Sequence, residues 1–311
     1  MFSIALLIAP IFGLMVLGLV LRRGIFESGT FWGTADKLVY WVLMPSLLFY
    51  KTSTTSFDMN LVVGMGMALL GAFFCAAVFG VIAGRLIGLN GASISSVLQG
   101  SARHNTFLAL AVAESLFGTE GLAIAALGSA MLIPVTNLTV VPLIITLTPK
   151  RRTGGLITAI LADLARNPLL VSIFLGVSCN LVIGQQIPVV HEMTRLLGGA
   201  TLPLVLLVVS ASLRGFEGPI KVSAVVTAGI GKFILFPLLA FGIARGVGLS
   251  DMQTIIAVIF AAAPSASSSY TLARQLGGDA PLSASIVAIH TGLAFVTLPI
   301  TVALAQYVLG H

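Results

Sequence analysis

Long apolar stretches recur along the whole 311-residue chain and constrain its fold more than any other feature. A hydrocarbon core about 30 Å thick requires about 20 apolar residues in a helix, and ten stretches come close to that length. They cover residues 4–21, 34–50, 61–87, 94–117, 122–147, 167–183, 194–213, 222–247, 254–276 and 281–309. Only 8% of the residues are charged, which is far below the share in soluble domains. The sequence therefore predicts an all-α integral membrane protein with ten transmembrane helices.

The distribution of basic residues predicts the orientation of these helices. If the N-terminus lies outside the cell, the outside connections hold only Lys51, Arg195 and Arg245. Eleven basic residues then lie in the inside connections: Arg22, Arg23, Lys37, Arg85, Lys150, Arg151, Arg152, Arg166, Arg214, Lys221 and Arg274. This asymmetry follows the positive-inside rule, so both termini are predicted on the non-cytoplasmic side of the cell (inner) membrane. The basic residues form no patch interleaved with aromatics, so no nucleic-acid partner is expected.

An internal repeat divides the chain into halves of five predicted spans each, residues 1–150 and 151–311. Landmarks of the first half recur in the second at offsets of 157 to 160 residues, in the pairs Pro10 with Pro168, Pro45 with Pro203, Arg85 with Arg245, and Pro142 with Pro299. Five is an odd number, so the second half must enter the membrane in the opposite orientation. Inverted repeats of this kind are typical of secondary transporters. The basic segment Lys150, Arg151 and Arg152 is the predicted linker.

Two of the predicted spans contain polar or helix-breaking segments near their middle. The fourth holds Gly-Ser-Ala-Arg-His-Asn-Thr at 100–106, and the ninth holds Pro-Ser-Ala-Ser-Ser-Ser at 264–269. Arg103 aligns with Pro264 at an offset of 161 residues. Irregular backbone inside a bilayer is tolerated only where protein or a water-filled cavity satisfies its polar groups. The two segments therefore predict broken helices 4 and 9 that cross near the midplane.

A small anion would suit this crossing better than a cation. The N-terminal ends of the half-helices would direct N–H groups and positive dipole ends at the ligand. The candidate substrate-binding residues are Arg103, His104, Asn105, Thr106, Pro264, Ser265, Ser267, Ser268 and Ser269. Two alternatives stay open: the serines could serve helix packing, and Arg103 could extend to a membrane interface.

Further residues inside the spans are ionisable or interrupt a helix. His104 and His290 could couple transport to protons, or each could be a structural histidine. Lys232 requires an internal partner, either backbone carbonyls or Glu114. Pro45 and Pro203 are predicted helix breaks. No cluster of buried carboxylates is present, so no metal site and no cofactor are expected, and sodium coupling would have to use carbonyls and hydroxyls.

Several segments together resemble the auxin efflux carrier family, in order and in spacing. They are KLVYWVLMPSLLFYK, GSARHNTFLALAVAESLFG, NPLLVSIFLGV, LGGATLPLVLLVVSASL, KFILFPLL and AAAPSASSSYTLARQLGGDAPLSASI. The resemblance implies a fold similar to bile acid sodium symporters, in which the two halves interleave into a scaffold domain and a transport domain. It also implies substrate binding at the crossing, with Ser46 and Asn137 as lining residues. The Arg103–His104 pair is closer to bacterial members, which favours a compact carboxylate such as malonate or malate.

The sequence thus predicts a secondary carrier that moves a small organic anion by elevator-like or rocking alternating access. An auxin-like aromatic acid exporter, an anion channel and a sensor that binds without flux are alternatives. An intramembrane hydrolase using a serine with His104 or His290 is another, although no G-x-S-x-G elbow is present. No ATP-binding G-x-x-x-x-G-K-[ST] loop occurs, so transport is not expected to be driven by ATP. The protein is not expected to be an enzyme. The expected partners are the substrate and the lipid bilayer. The coupling ion (H⁺ or Na⁺), the transport direction and a homodimer are left open.

Overall fold

The computed structural model describes residues 2–55, 58–148, 166–213 and 219–310. Within these ranges every regular element is helical. The first half contains α1 (Phe2–Gly24), α2 (Gly29–Leu38), α3 (Met44–Thr54), α4 (Met59–Leu86), α5 (Gly91–Ala102) and α6 (Thr106–Leu147). The second half contains α7 (Pro168–Val182), α8 (Pro188–Ala211), α9 (Val222–Ile230), α10 (Phe236–Gly246), α11 (Asp251–Ala262), α12 (Ser268–Leu276) and α13 (Ala280–Leu309). The predicted linker at 150–152 and Arg214 lie outside the described residues.

Each predicted apolar stretch contains helix, and within the described residues six helical segments are long and apolar enough by themselves to cross a membrane. They are Ile4–Gly24, Met59–Leu86, Gly91–Leu147, Pro188–Ala211, Val222–Gly246 and Ala280–Leu309. The fourth and fifth predicted spans share one of these segments. The second, sixth and ninth fall on helices that are too short or too polar to qualify alone. The protein is thus an all-helical membrane protein, and the count of ten spans stays a prediction.

Wide π-helical turns precede two of the prolines. Val39–Leu43 joins α2 to α3, and Gly231–Leu235 joins α9 to α10. The next helix has proline at its second residue in each case, Pro45 and Pro237. Proline has no N–H and its ring clashes with the carbonyl four residues earlier, and a wider turn relieves that clash. Pro45 therefore widens its helix and does not break it.

The break predicted at Pro203 is wrong. Pro203 lies inside α8, which continues from Pro188 to Ala211 without interruption. Membrane helices tolerate such prolines because neighbouring helices and side chains satisfy the freed backbone groups. A real interruption occurs at Gly118 inside α6, where φ is 60° and ψ is −146°. This conformation requires glycine and separates the fourth predicted span from the fifth.

The two halves repeat the same local geometry on the way into their breaks. Gly88 and Gly248, with φ of 75° and 78°, end the preceding helices. Asn90 and Ser250 then cap α5 and α11, which contain 12 residues each. A left-handed glycine followed by a capping side chain is a standard helix stop and start. The local repeat is real, whereas the inverted orientation of the halves stays a prediction.

The structure moves the register of the predicted repeat by one residue. α5 ends at Ala102 and is followed by Arg103 with ψ of 145°, while α11 ends at Ala262 and is followed by Ala263 with ψ of 136°. Arg103 therefore corresponds to Ala263, and the predicted alignment with Pro264 is wrong by one position. The sequence could not show this, because only backbone geometry identifies where each helix stops.

Helices from the two halves pack against one another in two groups. α1 and α3 pack on α8 and α7, whereas α4 and α5 pack on α10, α9 and α13. α6 contacts helices of both groups. Large apolar side chains on the outside, among them Leu86, Leu181 and Val182, are about four-fifths exposed. Such a surface is expected of a protein whose outer face contacts lipid. The assignment of these groups as scaffold and transport domains stays a prediction.

Candidate functional site

The first break consists of Arg103, His104 and Asn105, three non-helical residues between α5 and α6. The Asn105 side-chain oxygen accepts from the backbone N–H groups of Phe107 and Leu108, at 3.1 and 3.2 Å, and so caps α6. His104 Nε2 lies 3.2 Å from Thr106 Oγ1. All three side chains of the break are buried, with at most 8% of their surface exposed. The polar segment that the sequence predicts inside the fourth span is therefore a true interruption.

The second break lies between α11 and α12, at residues 263–267. Its Pro264 carbonyl accepts a 2.7 Å hydrogen bond from the N–H of Asn105 in the first break. The Ser265 hydroxyl donates to the Gly100 carbonyl at 2.8 Å. The two interrupted helices therefore meet at the positions that the sequence predicts, and each break satisfies backbone groups of the other.

A cavity of about 650 Å³ opens beside this meeting point. It is lined by both breaks, by the middle of α6 and by the α2–α3 region. Its polar lining residues are Asp36, Tyr40, Arg103, His104, Asn105, Thr106, Thr136, Asn137, Asn167, Ser212, Ser267, Ser268, Tyr270 and Thr271. Its volume lies within the range of ordinary small-molecule sites, about 300 to 1,000 Å³.

Arg103 supplies the positive charge in the cavity wall. Its Nη1 lies 3.4 Å from the Gln99 side-chain oxygen and its Nη2 donates to Ser268 Oγ at 3.0 Å. Both partners are neutral, and none of the ion pairs found in the described ranges includes Arg103. A guanidinium has five N–H donors and remains charged in proteins. Arg103 thus retains donors and an unneutralised charge for an anionic ligand.

The helix N-termini at the crossing differ from the expectation. At α6, Asn105 already occupies the N–H groups of Phe107 and Leu108, so these donors are not available to a ligand as predicted. At α12, the capping position Ser267 makes no side-chain cap, although the N–H groups of Ser269 and Tyr270 bond back to Ala266 and Ser267. The crossing is therefore asymmetric, and α12 is the less completely capped end.

The cavity collects most of the predicted substrate residues but not all. Arg103, His104, Asn105, Thr106, Ser267, Ser268 and Asn137 line it. Pro264, Ser265 and Ser269 belong to the second break but are not among the lining residues. Ser46 is not among the lining residues either, and its hydroxyl donates to the Val42 carbonyl at 2.7 Å within its own helix. A role of Ser46 in substrate binding stays a prediction.

Sequence reasoning missed several lining residues, of which Asp36 and Thr136 matter most. The Thr136 hydroxyl is buried without a hydrogen-bond partner among the described residues and lies in the cavity wall. Asp36 brings a carboxylate to the same cavity. The sequence did offer a signal for Asp36, because it is an acidic residue near the start of a predicted span, and an ionisable residue within a span is by default a candidate functional residue. Thr136 carries no comparable signal, because threonine is common on membrane helices.

A serine and a histidine do form a pair at the crossing, as a hydrolase would require. Ser265 Oγ lies 2.9 Å from His290 Nδ1. However, the same hydroxyl donates to the Gly100 carbonyl, and Ser265 is 1% exposed. The histidine ring lies beside the Val225 carbonyl, and no carboxylate of the described residues orients it. Catalytic triads need an oriented base and a reachable nucleophile. The pair is therefore explained as a structural bond that fixes the second break.

Lys232 does not have the partner that the sequence suggests. Its side chain is fully buried in the π-helical turn, and its ammonium nitrogen has no hydrogen-bond acceptor in the described part of the chain. The nitrogen lies 4.6 Å from the centroid of the Phe236 ring. Glu114 interacts electrostatically with Lys51 instead. Long-range pairing of this kind depends on helix packing, which a sequence does not show.

Comparison with known proteins supports a transport function for this architecture. A family model described as membrane transport protein matches residues 137–302, which is more than half of the chain. No curated protein sequence matches the chain significantly. The matched region includes α7 to α12 and the second break. Members of that family are transporters and not enzymes. The chain belongs to the auxin efflux carrier family of membrane transport proteins.

Proposed function

We propose that this transporter is a secondary carrier for a small organic anion, a mono- or dicarboxylate such as malonate or malate. The observation that carries the proposal is the position of Arg103. Its guanidinium lies in the wall of a cavity of about 650 Å³, and its side-chain hydrogen bonds within the described residues are to the neutral Gln99 and Ser268; Arg103 is 8% exposed. A guanidinium binds a carboxylate with two parallel hydrogen bonds, which gives orientation as well as affinity.

Neutral polar groups around Arg103 would complete recognition of the carboxylate. Thr136 has an unpaired hydroxyl, Asn137 lies next to it on α6, and Ser267 lies at the start of α12. These groups come from both sides of the crossing, so a bound anion would link the two breaks. The site thus fits a ligand with one charged group and several hydrogen-bonding atoms.

Asp36 limits the charge that the cavity accepts. Its carboxylate lines the same cavity as Arg103, so a dianion would meet repulsion on one side. Like charges brought together in a partly buried site destabilise one another. This arrangement favours a monocarboxylate, or a dicarboxylate that protonates one end.

An aromatic acid is the second candidate substrate. Tyr40, Phe107 and Tyr270 also line the cavity, and its volume would admit a ring. Aromatic side chains provide stacking surfaces for a flat ligand. The thermal-shift screen described below therefore compares compact acids with an aromatic acid.

Alternating access is the proposed mechanism, either elevator-like or rocking. The helices pack in two groups that both contact α6, and the crossing lies within one of them. We place the protein in the inner membrane of the cell with both termini on the non-cytoplasmic side. The positive-inside count supports this orientation. A homodimer is compatible with the exposed apolar faces, which are equally suited to lipid.

A thermal-shift screen of the purified protein tests the proposal. Acetate, malonate, malate and an indole carboxylate would be compared at two pH values, with and without sodium. A ligand at about 100 times its Kd stabilises the native state by about 2.7 kcal/mol. We expect one acid to raise the melting temperature and Arg103→Gln to remove that shift. Arg195→Gln is the matched control, because Arg195 pairs with Glu192 on the exposed surface.

Two results would contradict the proposal. An equal shift in Arg103→Gln and wild type would remove the anchoring role from Arg103. A shift with none of these acids would oppose an organic-anion substrate. Counterflow in proteoliposomes then separates a carrier from a channel, because only a carrier shows saturable exchange. Binding without any flux would indicate a sensor.

A further inference from the structure

Lys232 is an ionisable residue whose side chain is completely buried near the crossing. It is 0% exposed and lies in the π-helical turn Gly231–Leu235. Its nitrogen has no hydrogen-bond acceptor among the described residues and lies 4.6 Å from the centroid of the Phe236 ring. π-Helical turns inside α-helices occur frequently at functional sites. The cavity does not include Lys232, so substrate binding does not explain it.

Polar groups near Lys232 form a second cluster behind the crossing. We define this inner cluster as Ser101, His104, Lys232 and His290. The Ser101 hydroxyl packs against the backbone at Gly231 and has no hydrogen-bond partner in the described part of the chain, nor does His104 Nδ1. Both histidines interact electrostatically with Lys232. The His104 ring also contacts Phe260, and the His290 ring contacts Phe233.

No acidic side chain of the described residues faces Lys232. The π-helical turn packs on α4, α5, α9, α10 and α11. The titratable groups on these helices are Cys75, Arg85, Arg245 and Asp251: Cys75 is exposed, the other three lie at helix ends, and Arg245 pairs with Asp251 at 2.9 Å. Beyond these helices, the groups that face the cluster are Arg103 and His104 from the first break and His290 from α13. All three are bases.

An ammonium ion in these surroundings is unfavourable. Burying a charge without a hydrogen-bonded counter-ion is strongly unfavourable, because the water that solvated the charge is lost and nothing replaces it. The neutral amine is therefore the form that this conformation of the protein favours. A lysine amine, unlike a guanidinium, gains and loses its proton readily when its surroundings change.

We propose that Lys232 is a proton-binding site that couples proton movement to transport of the anion. The step is a simple protonation: the lone pair on Nζ takes a proton from a hydronium ion of the medium, so that one N–H bond forms, one O–H bond breaks and a water molecule is released. An anion bound at Arg103 adds negative charge beside His104, which favours the ammonium form of Lys232. Binding of the anion and uptake of one proton would then occur together. The coupling rests on the proposed carrier function, whereas the proton-binding site does not.

The first experiment examines the proton-binding site without any substrate. The chain has five lysines, so protein labelled with ¹³C and ¹⁵N in lysine alone gives few side-chain resonances. We expect one resonance of the wild-type protein to show a neutral amine at neutral pH, and Lys232→Met to remove it. Lys51→Met is the matched control, because Lys51 is also buried but interacts with Glu114. If the spectrum of the folded wild-type protein shows all five lysines as charged ammonium groups at neutral pH, the proposal is overturned. This result needs no variant, because it comes from the wild-type spectrum alone.

The second experiment examines coupling in proteoliposomes with malonate as the probe. A pH gradient should drive malonate accumulation at least tenfold above counterflow without a gradient, and Lys232→Met should retain counterflow but lose the response to pH. Lys232→Gln is the second variant if the methionine does not fold. Malonate flux that ignores the pH gradient in wild type would overturn the coupling and leave the carrier function intact. A neutral Lys232 without any malonate flux would support the site and contradict the proposed substrate.

Discussion

The backbone N–H of Asn105 donates a 2.7 Å hydrogen bond to the carbonyl oxygen of Pro264. This bond joins the two breaks, and the Ser265 hydroxyl adds a second link by donating to the Gly100 carbonyl. Backbone groups that leave a helix inside a membrane need such partners, because lipid offers none. Each interrupted helix therefore supplies hydrogen-bond partners for backbone groups of the other, so neither break would be satisfied without the crossing.

Asn105→Ala should lower both stability and ligand affinity. The side-chain oxygen caps α6 through Phe107 and Leu108 and also lines the cavity. Loss of an N-cap costs about 1 kcal/mol, with a range of about 0.5 to 2. The control is Asn90→Ala, which removes the cap of α5 at Ser93. Both variants should lose similar thermal stability in a melting assay, but only Asn105→Ala should also weaken the ligand-induced shift. Equal ligand shifts in the two variants would remove Asn105 from the binding site.

Asp36→Asn should change which anions bind. The Asp36 carboxylate lines the same cavity as Arg103, and its removal lessens repulsion of a second negative charge. We expect the thermal shift with malonate to increase relative to that with acetate, by about tenfold in Kd if the repulsion is about 1.4 kcal/mol. Glu120→Asn is the control, because Glu120 is exposed and lies away from the cavity lining. An unchanged ratio of the two affinities would show that Asp36 does not face the bound anion.

The sequence predicted the breaks because their signals are local. Arg103 to Thr106 and Pro264 to Ser269 are polar or helix-breaking residues within apolar stretches, and irregular backbone follows directly from that composition. The crossing could be inferred as well, since the internal repeat places the two segments at matching positions. The residue types within each segment were thus sufficient to predict the two breaks, which form the centre of the candidate site.

Features that depend on packing could not be predicted in the same way. The electrostatic interaction of Glu114 with Lys51 requires α6 and α3 to lie side by side. The unpartnered state of Lys232 depends on five surrounding helices. Pro45 and Pro203 are alike in sequence, yet one follows a π-helical turn and the other lies in a continuous helix. Such differences arise from neighbouring elements that are distant in the chain.

Gly176→Ala should destabilise the contact between α7 and α3. A β-carbon at this position would lie 2.8 Å from the Phe49 carbonyl oxygen and would also clash with the Thr52 hydroxyl. Overpacking of this kind costs about 1 to 3 kcal/mol. Gly13→Ala is the control, because nothing lies within 4 Å of its added carbon. A melting assay should show a lower transition temperature for Gly176→Ala and an unchanged or slightly higher one for Gly13→Ala. Equal stabilities would mean that α7 and α3 do not approach so closely.

Asp279 joins the starts of three helices and should make stability depend on pH. Its carboxylate accepts from Lys221 Nζ at 2.7 Å, from Ser93 Oγ at 2.8 Å and from the Leu282 N–H at 3.1 Å. Partial burial by itself would raise the pKa of Asp279, but these three hydrogen bonds and the Lys221 charge hold the pKa below its ordinary value of 3.8. The unfolded chain therefore binds a proton more readily than the folded protein does.

The direction of the pH effect follows from that difference. The stabilisation from Asp279 is present above the unfolded pKa and is lost as the pH falls through the lower, folded pKa. Asp279→Asn should therefore melt at a lower temperature than wild type near neutral pH, and the two melting temperatures should converge as the medium is acidified below 3.8. Lys221→Met should show part of the same convergence, because it removes the cation but leaves Ser93 and Leu282 as donors. Lys37→Met, an exposed cation on α2, is the control and should keep the wild-type pH dependence. A constant gap between Asp279→Asn and wild type at every pH would show that hydrogen bonding alone, and not the ionised carboxylate, stabilises this junction.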